Sequence, residues 1–243
     1  MAGKQKKVRT AGEIPASYSG PIYWRLTQYS PVMGPSDEPI RFTDSLDRLE
    51  RLWLPREKMP GKNIFNSGTV FGEDGEILPE WRTPIKAKWT KPGPVRVEYS
   101  PGETSARVSE RVLDMLNSID GHKHHTFPID IECQDGSIER RYYVYFAEDA
   151  NLEARELHPQ ANNLKPLETP IEGITHLPPM WLKAGALDKD QFGYLDASAV
   201  GDLVWFKGTD TNHYFSAKLF ESLASFGDIF PRWYVALPIG LAG

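Results

Sequence analysis

Two stretches of the chain repeat one arrangement of apolar and polar positions. The first, V-S-E-R-V-L-D-M-L-N-S-I, runs from Val108 to Ile119; the second, F-S-A-K-L-F-E-S-L-A-S-F, runs from Phe215 to Phe226. A serine, a basic residue, large apolar side chains, an acid, a leucine and a second serine recur in register. Each stretch predicts a helix start. Ser109 and Ser216 are suited to N-capping, because a serine oxygen accepts from the N–H groups that a first helical turn leaves unpaired. An apolar residue before each cap meets another inside the first turns, pairing Val108 with Leu113 and Phe215 with Phe220 as hydrophobic staples. Val112, Leu116 and Ile119 then form an apolar stripe at spacings of four and three, and Leu219, Leu223 and Phe226 form its counterpart. Gly121 and Gly227 stand where a left-handed residue would close each helix.

A strand pattern follows each helix. Phe127, Ile129, Ile131 and Cys133 alternate with Pro128, Asp130 and Glu132, which predicts one buried face. Asp135-Gly136 signals a two-residue hairpin turn, and Ile138 to Phe146 reads as the returning strand. That turn would set Asp130 opposite Arg141 and Glu132 opposite Glu139. After the second helix, Arg232 to Leu237 takes the corresponding role. Leu203 to Phe206 leads in as a strand, joined to the helix by the polar loop 208–212. Further strands are expected at Ile22–Leu26 and Val95–Tyr99. Asp44 can cap a short helix carrying Leu46, Leu49 and Trp53 that ends at Pro55. Residues 61–89 alternate short apolar pieces with Gly and Pro. Residues 157–181, punctuated by prolines 159, 166, 170, 178 and 179, read as an ordered connector. The expected class is α+β, with antiparallel sheets, helices packed on one side, and two repeated helix-strand units in one compact chain. Residues 1–19 are expected to form a flexible basic tail ahead of a single domain, 20–243, divisible into lobes 20–157 and 158–243.

Composition narrows this picture. Of 243 residues, 40% are hydrophobic and 25% charged, which points to a globular core in place of a disordered chain. Apolar runs fall well short of the ~18 residues that a membrane helix needs. The lone cysteine, Cys133, cannot form an internal disulfide, which argues for a reducing compartment or at least no disulfide framework. The basic N-terminal stretch lacks the apolar run of a secretory signal, so a cytoplasmic setting is expected. Net charge is −5. Lys4, Lys6, Lys7 and Arg9 lie in the first twelve residues with no acid among them, which leaves 24 basic against 33 acidic residues in the body. Such a body repels phosphate, making nucleic acid a poor partner, and favours the approach of a cationic one.

Candidate chemistry is sparse. No G-x-x-x-x-G-K-[ST], G-x-G-x-x-G, H-E-x-x-H or G-x-S-x-G pattern occurs. His122, His124 and His125 cluster ahead of Asp130 and Glu132, but a metal site needs about three convergent ligands with an oriented second shell. A solvated loop fits that spacing better, and no cofactor or metal is expected. His158, His176 and His213 are isolated and read as capping or packing residues. Cys133 falls on the apolar side of its strand, as a small hydrophobe would. The D-G-E of Asp74–Glu76 and the D-G-S of Asp135–Ser137 read as turns.

The repeated helix start followed by an aromatic strand resembles the bacterial immunity proteins of family eleven, formerly a domain of unknown function, which protect cells from polymorphic toxins. V-S-E-R-V at Val108–Val112 matches the mid-chain helix start of that family. L-V-W-F-K, then Y-F-S-A-K-L-F at Tyr214–Phe220, matches the later one. Y-W-R-L-T at Tyr23–Thr27 and Y-Y-V-Y-F at Tyr142–Phe146 fit the same order. The resemblance spans roughly residues 20 to 240. It implies a non-enzymatic protein that binds a cognate toxin or effector and occludes its active surface; from the charge and hydropathy above, no membrane or nucleic-acid partner is expected. The acidic residues Asp37, Glu38, Glu73, Asp74 and Glu76 are the expected contact surface. The alternatives are a metal-dependent hydrolase built on His122, His124 and His125, and a general adaptor protein.

Overall fold

The computed structural model describes residues 10–28, 40–44, 82–95, 98–102, 105–152, 155–162, 192–208, 212–227, 229–231 and 234–243. Two compact units interleave along the chain: residues 1–31, 115–122 and 146–243 form one, and residues 32–114 and 123–145 the other. The sequence reading expects a single domain, 20–243, divisible into lobes near residue 157. The expected helix after Asp44 and most of the connector 157–181 lie outside the described residues.

The unit containing residues 146–243 holds a five-stranded sheet, called A. Its strands are β1 (Ile22–Gln28), β8 (Gly193–Asp196), β9 (Trp205–Lys207), β10 (His213–Ser216) and β11 (Tyr234–Ala242), in the order β8-β11-β1-β10-β9. The second unit holds a six-stranded sheet, B, in the order β2-β3-β6-β7-β5-β4. Its strands are β2 (Ile40–Phe42), β3 (Ile85–Trp89), β4 (Tyr99–Pro101), β5 (Ser105–Ser109), β6 (His125–Glu132) and β7 (Ile138–Tyr145). Three α-helices are described: α1 (Glu110–Ile119), α2 (Ala197–Val200) and α3 (Ala217–Ala224).

Both sheets are mixed and curled, which corrects the expectation of antiparallel sheets. β6 runs parallel to β3, and β11 parallel to β8, while every other strand pairing is antiparallel. A parallel neighbour requires a crossover connection. The chain supplies one through β4, β5 and α1 before β6, and another through α2, β9, β10 and α3 before β11. The described chain is mostly sheet, so the expected layer of helices on one side gives way to a sheet-rich fold. α3 lies against sheet A, where Phe220 stacks on Trp24 of β1 with ring centroids 4.7 Å apart.

The two sheets share one plan. In each, a short edge strand (β4, β9) pairs with a strand (β5, β10) that runs straight into a helix. The strand after that helix (β6, β11) takes a parallel outer neighbour and an antiparallel central strand, β7 in one sheet and β1 in the other. Register agrees as well. The Ser109 N–H donates to the Glu98 carbonyl at 2.8 Å, and the Ser216 N–H to the Val204 carbonyl at the same 2.8 Å. Tyr99 opposite Val108 corresponds to Trp205 opposite Phe215, and all four are fully buried. Phe127-Pro128-Ile129 in β6 and Leu237-Pro238-Ile239 in β11 occupy matching positions, and each isoleucine is the first residue paired to the parallel strand. Each proline thus precedes the parallel ladder, at a point where that neighbour needs no N–H.

Both caps form. Ser109 Oγ accepts from the Val112 N–H, and Ser216 Oγ from the Leu219 N–H, each at 3.4 Å. The staple pair Phe215 and Phe220 meets with ring centroids 6.5 Å apart. Val112, Leu116, Leu219 and Leu223 are buried, while Ile119 and Phe226 are half-buried at the helix ends. Gly227 is left-handed with φ 94°. Gly121 is not; instead the Asp120 carboxylate accepts from the His122 N–H at 3.0 Å and closes that end of α1.

The hairpin differs from expectation by one residue. Asp130 faces Arg140 and Glu132 faces Ile138, while Arg141 faces Ile129. Cys133 pairs with Ser137 through a 2.8 Å bond, so the loop is the three residues Gln134, Asp135 and Gly136. Gly136, at φ 80°, takes the left-handed place that such a loop requires. One face of β6 and β7 buries Phe127, Ile129, Ile131, Cys133, Tyr143 and Tyr145 with Ile85, Ala87 and Trp89 of β3, forming the core of sheet B. Of the expected strand 95–99, residues 96 and 97 lie outside the described residues, and Tyr99 opens β4. Side chains hold Val95: its N–H donates to Glu139 Oε1 at 3.2 Å, and its carbonyl accepts from Arg141 Nη2 at 3.0 Å.

Residues 10–21 run beside β11. The Ala11 N–H donates to the Ala236 carbonyl at 3.1 Å, and the Leu241 N–H to the Tyr18 hydroxyl at 2.6 Å. These contacts fall within the stretch 1–19 expected as a tail, of which residues 1–9 lie outside the described residues.

Candidate functional site

Three groups of ionisable side chains stand out. The first lies at the start of α1. Glu98 Oε2 accepts from Arg111 Nε at 3.0 Å, and Arg141 Nη2 reaches Glu139 Oε2 at 2.8 Å. Burial alone would push the Glu98 carboxyl up. Hydrogen bonds from Arg111 and Ser109, with the charges of Arg111 and Arg141, overturn that and hold it below the ordinary glutamate range. The arrangement fixes the junction of β5 and α1 electrostatically and leaves Arg141 nearly buried.

The second is the histidine cluster read from the sequence. His122 stands between two carboxylates, with Nδ1 3.1 Å from Asp120 Oδ1 and Nε2 3.6 Å from Asp149 Oδ2. Asp120 is buried, whereas Asp149 is exposed. Both ring nitrogens therefore face acids. His125 opens β6, two residues after the loop residue Lys123. Among the described residues, no group of three or more His, Cys, Asp or Glu side chains is placed to hold a metal ion. The hairpin acid Asp130 is bound at 2.6 Å by Arg140, the residue that the shifted register brings opposite it.

The third group escaped the sequence reading. Glu156 and His213 are fully buried and Lys207 nearly so, at 3% exposure. Lys207 faces His213 across the β9–β10 pair. Gly208 packs so tightly that a Cβ there would lie 2.8 Å from Glu156 Cδ and 2.5 Å from Tyr214 Cε2. The segment carrying Glu156 is tied to sheet A by its backbone: the Leu152 N–H donates to the Lys207 carbonyl at 2.9 Å, and the Asp196 N–H to the Glu156 carbonyl at 2.9 Å. Phe146 sets its ring edge-on to His213 at 5.1 Å and packs on Trp205 at 4.5 Å. Burying ionisable side chains of this kind constrains a fold, because a charge left uncompensated in the interior is costly. The signal available in the sequence was the alternation of Trp205-Phe206-Lys207 and His213-Tyr214-Phe215, which sets Lys207 and His213 within apolar strands.

The isolated histidines behave as read where they are described. His158 Nδ1 accepts from the Ala161 N–H at 3.1 Å, and His213 packs; His176 lies outside the described residues. Cys133 is buried at 5% exposure. Asp135 accepts from the Ser137 N–H at 3.0 Å, as a turn residue. The five expected contact acids, Asp37, Glu38, Glu73, Asp74 and Glu76, all lie outside the described residues, as does the D-G-E turn.

A comparison with protein-family profiles gives no match for this chain, and a comparison with curated proteins gives none either. No helix among the described residues is long and apolar enough to cross a membrane.

Proposed function

We propose that this chain binds a bacterial toxin or effector protein and neutralises it by covering its active surface, without turnover, as the resemblance to the family-eleven immunity proteins implies. The observation that carries the reading is the equivalence of the two segments on which that resemblance rests. V-S-E-R-V and F-S-A-K-L-F stand at matching places in two sheets of one plan, each behind a strand that enters its helix through a serine cap. Cap, staple and strand residues are spent on scaffold, which suits a protein that presents a rigid surface. The acidic body favours fast capture of a basic partner. On this reading the contact surface includes Asp37, Glu38, Glu73, Asp74 and Glu76, and the protein acts in the cytoplasm.

The test is co-expression with the product of the neighbouring reading frame. The expected result is growth arrest by that product alone, rescue by this chain, and a 1:1 complex in size-exclusion chromatography. Unimpaired growth of cells making the neighbouring product without this chain would overturn the proposal.

A further inference from the structure

In sheet B the central strand arrives directly: β6 turns through three residues into β7. In sheet A the equivalent place, between β10 and β11, is filled by β1, while the other four strands run consecutively from Gly193 to Ala242. β1 pairs with β11 along its whole length and with β10 from Tyr23 to Leu26. β10 and β11 are not bonded to each other, so a sheet A without β1 would present two facing strand edges with a gap one strand wide.

That gap is shaped for one sequence. The Tyr23 hydroxyl donates to the Leu203 carbonyl at 2.8 Å in the interior, Trp24 stacks on Phe220, and Leu26 is 1% exposed. A short loop holds its strand at high effective concentration, whereas the closure entropy of a long connection gives the covalently linked strand a smaller advantage over an identical strand on another molecule. We propose that β1 is an exchangeable strand, and that the slot between β10 and β11 accepts the β1 of a second copy of this chain, each copy completing sheet A of the other.

The register supplies a direct test, because Thr27 faces Val235 across β1 and β11. In a Cys133→Ser background, one chain carries Thr27→Cys and another Val235→Cys. The two are unfolded together, refolded over a range of protein concentrations and oxidised. The expected product is a disulfide-linked heterodimer whose yield rises with concentration and exceeds that from pairing Thr27→Cys with a chain carrying Ser198→Cys. A single chain bearing both Thr27→Cys and Val235→Cys should cross-link within the monomer when refolded dilute, which confirms that the substitutions leave the slot intact. Efficient closure of that double variant with only monomers from the mixture would overturn the proposal, as would equal yields from the mismatched pair, or failure of the double variant to close at all.

Discussion

Arg25 and Arg141 are each 9% exposed, and in each the Nε is buried without a hydrogen-bond partner. Replacement by methionine should nonetheless shift stability in opposite directions. Arg141 is anchored by its other nitrogens: Nη1 donates to the Arg140 carbonyl at 2.9 Å, and Nη2 to the Val95 carbonyl at 3.0 Å and to Glu139 at 2.8 Å. Among the described residues, no ion pair or side-chain hydrogen bond is made by Arg25, which lies between Tyr214 and Leu237 on the neighbouring strands. A guanidinium cannot escape by losing its proton. Arg25→Met removes a desolvated donor that costs about 1–3 kcal/mol and keeps an apolar stem of similar length. The expected gain is about 1–2 kcal/mol, or roughly 2–8 °C in Tm for a chain of this size. Arg141→Met strips partners from Glu139 and from the Val95 carbonyl, for an expected loss of about 2 kcal/mol. Paired urea and thermal melts followed by circular dichroism measure both. A destabilised Arg25→Met, or shifts of the same sign in the two variants, would refute the reasoning.

The serine caps are long bonds, so Ser109→Ala and Ser216→Ala should each cost only about 0.5–1 kcal/mol, read from urea midpoints; unchanged midpoints in both would sink the cap assignment. Glu98 supplies a pH signature. Its lowered carboxyl adds stability that is complete above the ordinary glutamate value of 4.5 and is lost as pH falls from there through the lower folded value. Glu98→Gln should therefore flatten the decline in Tm below about pH 5, and acid melts superimposable on the wild type would contradict this. Gly208→Ala should destabilise by about 1–3 kcal/mol through overpacking against Tyr214 and Glu156, and a neutral result in thermal melts would refute this tight packing.

What could be read from the sequence was local. A serine cap, its flanking apolar pair and a four-three stripe all lie within one short segment, so both α1 and α3 were legible. Alternation in β6 was legible for the same reason. The hairpin register was not, because Asp135-Gly136 also fits a three-residue loop, and including Gln134 moves every opposed pair by one. β3 and β8 are short and gain their place from parallel partners distant in the chain, so no local pattern distinguishes their direction. α2 follows directly on β8, and its signal was Asp196, whose carboxylate accepts from the Ser198 and Ala199 N–H groups. The buried set of Glu156, Lys207 and His213 was hidden, since a charged residue in a single sequence reads as surface until its neighbours in space are known. The identity of any partner depends on a surface, which periodicity does not encode.

β5 and β10 enter their helices with only a serine at the joint, and no slack separates ladder from helix. A pull on α1 or α3 would be felt by the last rungs of the sheet behind it before any connection could stretch. Each helix is in effect a lever clamped to its ribbon, and a molecule gripping one would meet stiffness and little give.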